Sequence, residues 1–226
     1  MGIHEGHRER LKSRFLEQGL EGFNELNTLE LLLFYAIPRK DTNVLAHRLI
    51  EHFGSLEAVF DASVQQLTEV EGIGENAALL ISLVPELNKR CAIDSTREMK
   101  WIRSTSDAGK YLVPRLMHEK DEKALLVCLD STGRIISTTE LNRGVVNEVE
   151  LNVRKIVETA LKQRASKVIL AHNHPDGVAL PSREDELTTR MVLSALKLVD
   201  IVLMDHIVVS KNDYVSFADS RLLYPF

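Results

Sequence analysis

Two histidines one residue apart, His172 and His174, are followed after seven residues by Ser182 and three positions later by Asp185. Two imidazoles and a carboxylate are the donor set of a catalytic zinc. Three protein ligands leave the fourth tetrahedral position to water, whereas structural zinc sites are closed by four. In an extended backbone, residues two apart project from the same side, so His172 and His174 can face one ion. Pro175, Gly177 and Pro181 interrupt regular structure after the second histidine, and the pattern from Arg183 onward is helical, which returns Asp185 on the first turn of a new helix. Ser182 and Asp185 also fit a capping box, with serine at the N-cap and the acid three residues on. A single histidine is an ordinary surface or core residue; the succession of strand, His-x-His, Pro/Gly-rich loop and capped helix carrying an acid is what points to a metal.

The elements that must position these residues belong to an α/β pattern. Ala124 to Leu129 is a short apolar run ended by a turn at Asp130-Ser131-Thr132-Gly133, and Ile135-Ile136 opens a second strand, giving a hairpin. Val153, Ile156, Val157, Ala160 and Leu161 share one helix face. Val168 to Ala171 reads as a buried strand delivering His172 at its end, and Arg183 to Leu198 as a second amphipathic helix. Strands are expected at Ile201 to Leu203, Ile207 to Val209 and Tyr214 to Phe217. Interleaved strands and helices of this kind form a compact α/β domain, placed at residues 101–226.

The first part of the chain, placed at residues 1–92, reads as all-helical. Leu29 to Tyr35 is a dense apolar run, Pro38 to Thr42 a turn, and Val44, Leu45, Leu49, Ile50 and Phe53 fall at helical spacing before Gly54 stops that helix. The string GIGENAALLI, from Gly72 to Ile81, resembles the helix-hairpin-helix motif, in which the glycines (here Gly72 and Gly74) allow a tight turn and present backbone amides to a phosphate. A plain tight connection between helices fits the same string, and Glu71 and Glu75 stand where a phosphate binder would prefer a cation. Ile93 to Lys100 is read as a polar connector between the two domains.

Composition narrows the classes further. At 226 residues and 44% hydrophobic, the chain can bury a proper core. No segment approaches the roughly 18 uninterrupted apolar residues of a membrane span, and the charged N-terminus lacks the apolar stretch of a signal peptide, so a cytoplasmic location is expected. Cys91 and Cys128 lie in different segments without C-x-x-C spacing; they are read as small buried hydrophobes. Residues 1–90 hold 9 Lys and Arg against 14 Asp and Glu, while residues 91–226 hold 19 of each, so the whole net charge of −5 lies in the first part. That acidity argues against strong duplex binding, although His7, Arg8, Arg10, Lys12 and Arg14 form a local basic run.

His-x-His-x7-Ser-x2-Asp resembles the JAMM signature of the MPN (JAB) metallopeptidase superfamily. The wider context resembles bacterial RadC proteins through GHRERLKSRF, ELLLFYAIPRKDT and FGSL in the first part and LNRGVVN, VILAHNHP, DHIVV and YVSF in the second. The resemblance implies an all-α helix-hairpin-helix domain followed by an α/β JAB/MPN-type, cytidine-deaminase-like domain with a central mixed sheet. It implies one zinc ion per chain, held by His172, His174 and Asp185. It further implies that Glu122, on the first strand of the domain, serves as the base that activates a water on the metal, and that Ser182 hydrogen-bonds that water or the developing oxyanion. Asp176 stands where RadC-like sequences usually have serine, and Val153 and Lys155 depart from the usual Pro-Arg-Glu.

The expected activity is therefore zinc-dependent hydrolysis of a peptide or isopeptide bond in a peptide or protein substrate, with no membrane partner. The competing expectation is a DNA-associated factor, touching DNA weakly through Gly72 and Gly74, in which the JAB domain is a non-catalytic interaction module. Deaminase-type zinc chemistry requires H-x-E with P-C-x-x-C, and the chain has no C-x-x-C.

Overall fold

The computed structural model describes residues 3–143, 153–175, 177–211 and 213–223. Internal contacts divide the chain into two units, Met1–Asn88 and Lys89–Phe226. The division falls inside a helix, so the polar connector expected from Ile93 begins while that helix is still running to Ser95.

The first unit is helical. It contains α1 (Ile3–Gln18), α2 (Glu25–Ala36), α3 (Thr42–Phe53), α4 (Leu56–Asp61), α5 (Val64–Glu69) and the first part of α6 (Glu75–Ser95). Short polar residues start four of these helices: Asn24, Asp41, Ser55 and Ser63 each accept a bond from a backbone amide of the first turn. Gly54 ends α3 with a left-handed φ of 92°, as its position in the sequence requires. Leu29, Leu33, Leu49, Leu67 and Ile81 are sealed in one core. Two arginines of the basic run of α1 are engaged by groups of the same unit. Arg8 donates to the carbonyls of Ile37, Pro38 and Lys40 and lies over Phe34, and Arg14 donates to Asn27 and lies over Phe23. His7 meets the buried Glu30 at 3.0 Å, and Lys12 meets Glu9 at 3.2 Å.

The second unit is a five-stranded mixed sheet with helices on both faces. Its elements are α7 (Thr105–Leu116), β1 (Lys123–Leu129), β2 (Ile135–Arg143), α8 (Val153–Lys162), β3 (Lys167–Asn173), α9 (Arg183–Lys197), β4 (Val202–Ser210) and β5 (Asp213–Ser216). The strand order is β2-β1-β3-β4-β5, with β3 and β4 parallel and the other pairs antiparallel. Side-chain alternation assigns the two faces. Ala124, Leu126, Leu170 and Val208 pack with Ile156 and Ala160 of α8 and Val192 and Leu196 of α9. Leu125, Val127, Ile169, Ala171, Ile207 and Val209 pack with Ala108, Leu112 and Leu116 of α7.

Several expectations from the sequence need correction. α7 lies in a stretch to which the sequence reading assigned no element; Ser104 caps it, and Ala108, Tyr111, Leu112 and Leu116 recur at helical spacing toward the sheet. The two short strands expected at 201–203 and 207–209 are one strand, β4, because Asp205 and His206 continue through the interior instead of breaking it. Cys128 is buried as expected, but Cys91 is exposed on α6. Lys155 donates to the Leu141 carbonyl, tying α8 to β2, while Asp176 and residues 144–147 of the LNRGVVN string lie outside the described residues. No helix among the described residues is long and apolar enough to cross a membrane.

Candidate metal centre

Strand register brings the chemistry-bearing residues together. His172 lies near the carboxyl end of β3, opposite Ala124 of the antiparallel β1. The β1–β3 pairing ends there, and Glu122, two residues earlier, is close enough for its charge to be felt at His174. Glu122 precedes β1, which begins at Lys123, so it sits just ahead of the first strand and not within it. The His174 amide donates to the Val209 carbonyl at 2.8 Å, which keeps the second histidine aligned with β4 after β3 has ended. From the other side comes α9. Its N-cap Ser182 and its third residue Asp185 form a reciprocal capping box, so the helix start is fixed by the same acid that faces the histidines.

The donor atoms of His172, His174 and Asp185 lie within 4.8 Å of one another. The two Nε2 atoms are 3.0 Å apart; His172 Nε2 is 3.1 Å from Asp185 Oδ1, and His174 Nε2 is 3.4 Å from Asp185 Oδ2. Burial pushes the Asp185 carboxyl up, but hydrogen bonds from His172 and His174 outweigh it and hold the group far below the usual carboxylate range. His174 is raised, first by its hydrogen bond to Asp185, against the opposing effect of burial; the negative charge of Glu122 contributes last. The Ser182 hydroxyl donates to Asp185 Oδ2 at 2.7 Å, and the Ser182 amide donates to the same oxygen at 2.7 Å. Oδ1 is thus the less encumbered oxygen.

A family described as the RadC-like JAB domain matches residues 102–222. UPF0758 protein FN0909 of Fusobacterium nucleatum subsp. nucleatum is 35% identical over 226 residues, covering 97% of each chain. The chain belongs to the RadC-like JAB domain family. Within the RadC-like match fall Glu122, His172, His174, Ser182 and Asp185, together with all five strands and α7 to α9. The glycine hairpin lies outside it.

Three polar residues of this RadC-like domain that sequence reasoning did not single out are hydrogen-bonded around the His-His-Asp group and the segment before β1. Asn173, between the two histidines, points to the opposite face. Its Oδ1 accepts the Lys123 amide at 2.8 Å, and its Nδ2 donates to the carbonyls of Asp121 at 3.2 Å and Glu119 at 3.4 Å, so it clasps the segment carrying Glu122. His206 and Thr189 are the others: His206 Nε2 is 2.9 Å from His172 Nδ1, and its Nδ1 is 2.6 Å from the Thr189 hydroxyl. Burial holds His206 well below the ordinary imidazole value, and His172 adds to that lowering. The signal was legible in part. Asp205-His206 inside the string VLMDHIVVS is a polar pair in an otherwise apolar strand, which calls for partners on both faces. Asp205 finds them in the Ser216 hydroxyl at 2.6 Å and the amides of His206 and Ala218.

In the helical unit, Gly72 takes the expected left-handed conformation, φ 95°, and the carbonyl of Gly74 accepts the amides of Ala77 and Ala78 as α6 begins. The nearby guanidinium of Arg48 donates to the Glu71 carbonyl at 3.0 Å and pairs with its carboxylate at 3.3 Å. The cation is held by the acidic loop itself.

Proposed function

We propose that this RadC-like chain is a zinc-dependent hydrolase of the JAMM type, holding one zinc ion per chain and cleaving a peptide or isopeptide bond in a peptide or protein substrate. The observation that carries the reading is the spacing of the three donors. Ligands about 2.0–2.1 Å from a tetrahedral zinc stand roughly 3.3 Å apart, and the observed separations of 3.0, 3.1 and 3.4 Å match that to within a few tenths of an ångström. Two imidazoles and a carboxylate without cysteine are also the donor chemistry of open, catalytic sites.

Bound there, zinc supplies Lewis acidity, lowering the pKa of a water toward neutrality and polarising the scissile carbonyl. The protein supplies the rest. Glu122 has no hydrogen bond or ion pair among the described residues, and its charge is felt at His174, so its carboxylate is available to take a proton from water and return it to the leaving amine. Asn173 holds the backbone on either side of Glu122, which fixes the approach of that base to the metal ligands. Ser182 orients Asp185 through its hydroxyl, and rotation of that hydroxyl toward an oxyanion would give it a second role. Glycines 72 and 74 are proposed to make at most a weak contact with DNA phosphates.

The test is Glu122→Gln assayed against quenched peptide and isopeptide substrates. Zinc content and thermal stability should match the parent, while hydrolysis falls by roughly 10²–10⁴, the loss expected when a general acid-base group is removed. Parent-level turnover by Glu122→Gln, together with loss of activity on zinc removal, would show that another base operates.

A further inference from the structure

The tautomer of His172 is set by a chain of hydrogen bonds that begins on the backbone of another ligand. Thr189 has one hydroxyl proton, and a carbonyl can only accept, so at 2.6 Å that proton lies on the Asp185 carbonyl. With its proton pointed at that carbonyl, the Thr189 hydroxyl oxygen must itself accept from His206 Nδ1, 2.6 Å away. His206 is wholly buried, stacked on Phe217 at 4.7 Å, and neither ring nitrogen meets a carboxylate. With its proton on Nδ1, a neutral His206 presents a lone pair at Nε2. His172 Nδ1, 2.9 Å away, donates to it. With Nδ1 protonated, a neutral His172 carries its lone pair on Nε2, the nitrogen beside His174 and Asp185 that a metal would take in place of the hydrogen bond to the carboxylate.

We propose that His206 and Thr189 are positioning residues that lock His172 in its Nδ1–H form and orient its ring, setting the affinity of the site for zinc. The path links three elements in a closed circuit: β3 through His172, β4 through His206, and α9 through Thr189 back to the backbone of Asp185. Parallel pairing of β3 with β4 puts His206 on the α9 face, since His172 pairs with Val208 and Leu170 with His206. One turn of α9 then separates Thr189 from Asp185, which is why the hydroxyl can reach the Asp185 carbonyl and His206 together. Partners of this kind behind a metal-binding imidazole typically contribute 10–100-fold to affinity.

This inference rests on the metal reading above for its consequence, but its geometry can be checked without metal. Long-range ¹⁵N–¹H spectra of histidine-labelled protein, recorded zinc-free and zinc-loaded, should show His206 protonated at Nδ1 and bare at Nε2 in both. Zinc affinity, read by competition with a chromogenic chelator, should weaken by about 10–100-fold in Thr189→Val, which keeps the side-chain shape and removes the hydroxyl. Thr189→Ser, which restores the hydroxyl, should recover near-parental affinity. A proton on Nε2 of His206, or equal zinc affinity in Thr189→Val and the parent, overturns the proposal. Failure of the parent to take up zinc would overturn the metal reading, and the His206 spectrum would still decide the tautomer.

Discussion

Replacing Asn173 by alanine should separate the metal ligands from the base. The substitution removes three hydrogen bonds at the start of β1: from the Lys123 amide at 2.8 Å, and to the carbonyls of Asp121 at 3.2 Å and Glu119 at 3.4 Å. The last two are long, and each such bond contributes about 0.5–1.5 kcal/mol net. The short one leaves the Lys123 amide without its acceptor, which costs about 1–3 kcal/mol. Because Lys123 is half-buried and water can reach part of that segment, a total near 2–4 kcal/mol is expected for a side chain only 3% exposed. For a domain of this size, about 3 °C per kcal/mol gives a melting point roughly 6–12 °C lower by calorimetry. His172 and His174 point to the other face, so zinc stoichiometry should hold while hydrolysis falls with the displaced Glu122. A variant that melts like the parent, or that loses zinc outright, would refute the argument that Asn173 acts on the β1 entry and not on the ligands.

Other perturbations read other links. Gly72→Ala would force a φ of 95° on alanine and place its Cβ 2.6 Å from Leu45 Cδ2; a cost of about 1–3 kcal/mol should appear as a lower melting point with zinc content unchanged, and a rise in melting point would contradict it. Binding of the whole chain to duplex DNA should be weak and should fall steeply between about 50 and 200 mM salt in fluorescence anisotropy; tight, salt-insensitive binding would contradict the weak hairpin contact. Burial raises Glu119, but bonds to Lys89 and Lys123 outweigh it and leave the carboxyl below its ordinary value of 4.5. A group lowered in the folded state stabilises above its unfolded pKa and loses that contribution as pH falls through the folded one. Melting points of the zinc-free protein should therefore drop as pH falls below about 4.5, less steeply in Glu119→Gln than in the parent, and identical slopes would contradict the assignment.

The group of His172, His174 and Asp185, which could hold a metal ion, was legible because its geometry is local. His172 and His174 share a face by strand alternation, and Asp185 arrives through a capping box spelled out in Ser182-x-x-Asp185. The ends of α3 and the turn at Gly72 were legible for the same reason, since Gly54 and Gly72 adopt conformations that only local sequence dictates. What escaped was non-local. His206 reaches His172 across 34 residues through the parallel pairing of β3 and β4, and no spacing within the chain encodes that register. Asn173 reaches the start of β1 across some fifty residues, so its role emerges only when β1 lies antiparallel to β3. Strands read separately at 201–203 and 207–209 are one strand because Asp205 and His206, between them, are buried with hydrogen-bond partners drawn from outside β4, which local sequence does not reveal. The basic run of α1 looked like a nucleic-acid patch because composition does not reveal that Arg8 and Arg14 are engaged by backbone and aromatic groups of the same unit.

Zinc per chain, measured by elemental analysis on the purified protein and on the His172→Ala, His174→Ala double variant, tests the central claim most directly. Removing two of three protein donors leaves Asp185 alone, which cannot hold the ion tightly. The account predicts about one zinc per parent chain and none held stoichiometrically by the folded double variant. Full occupancy in that variant would contradict it.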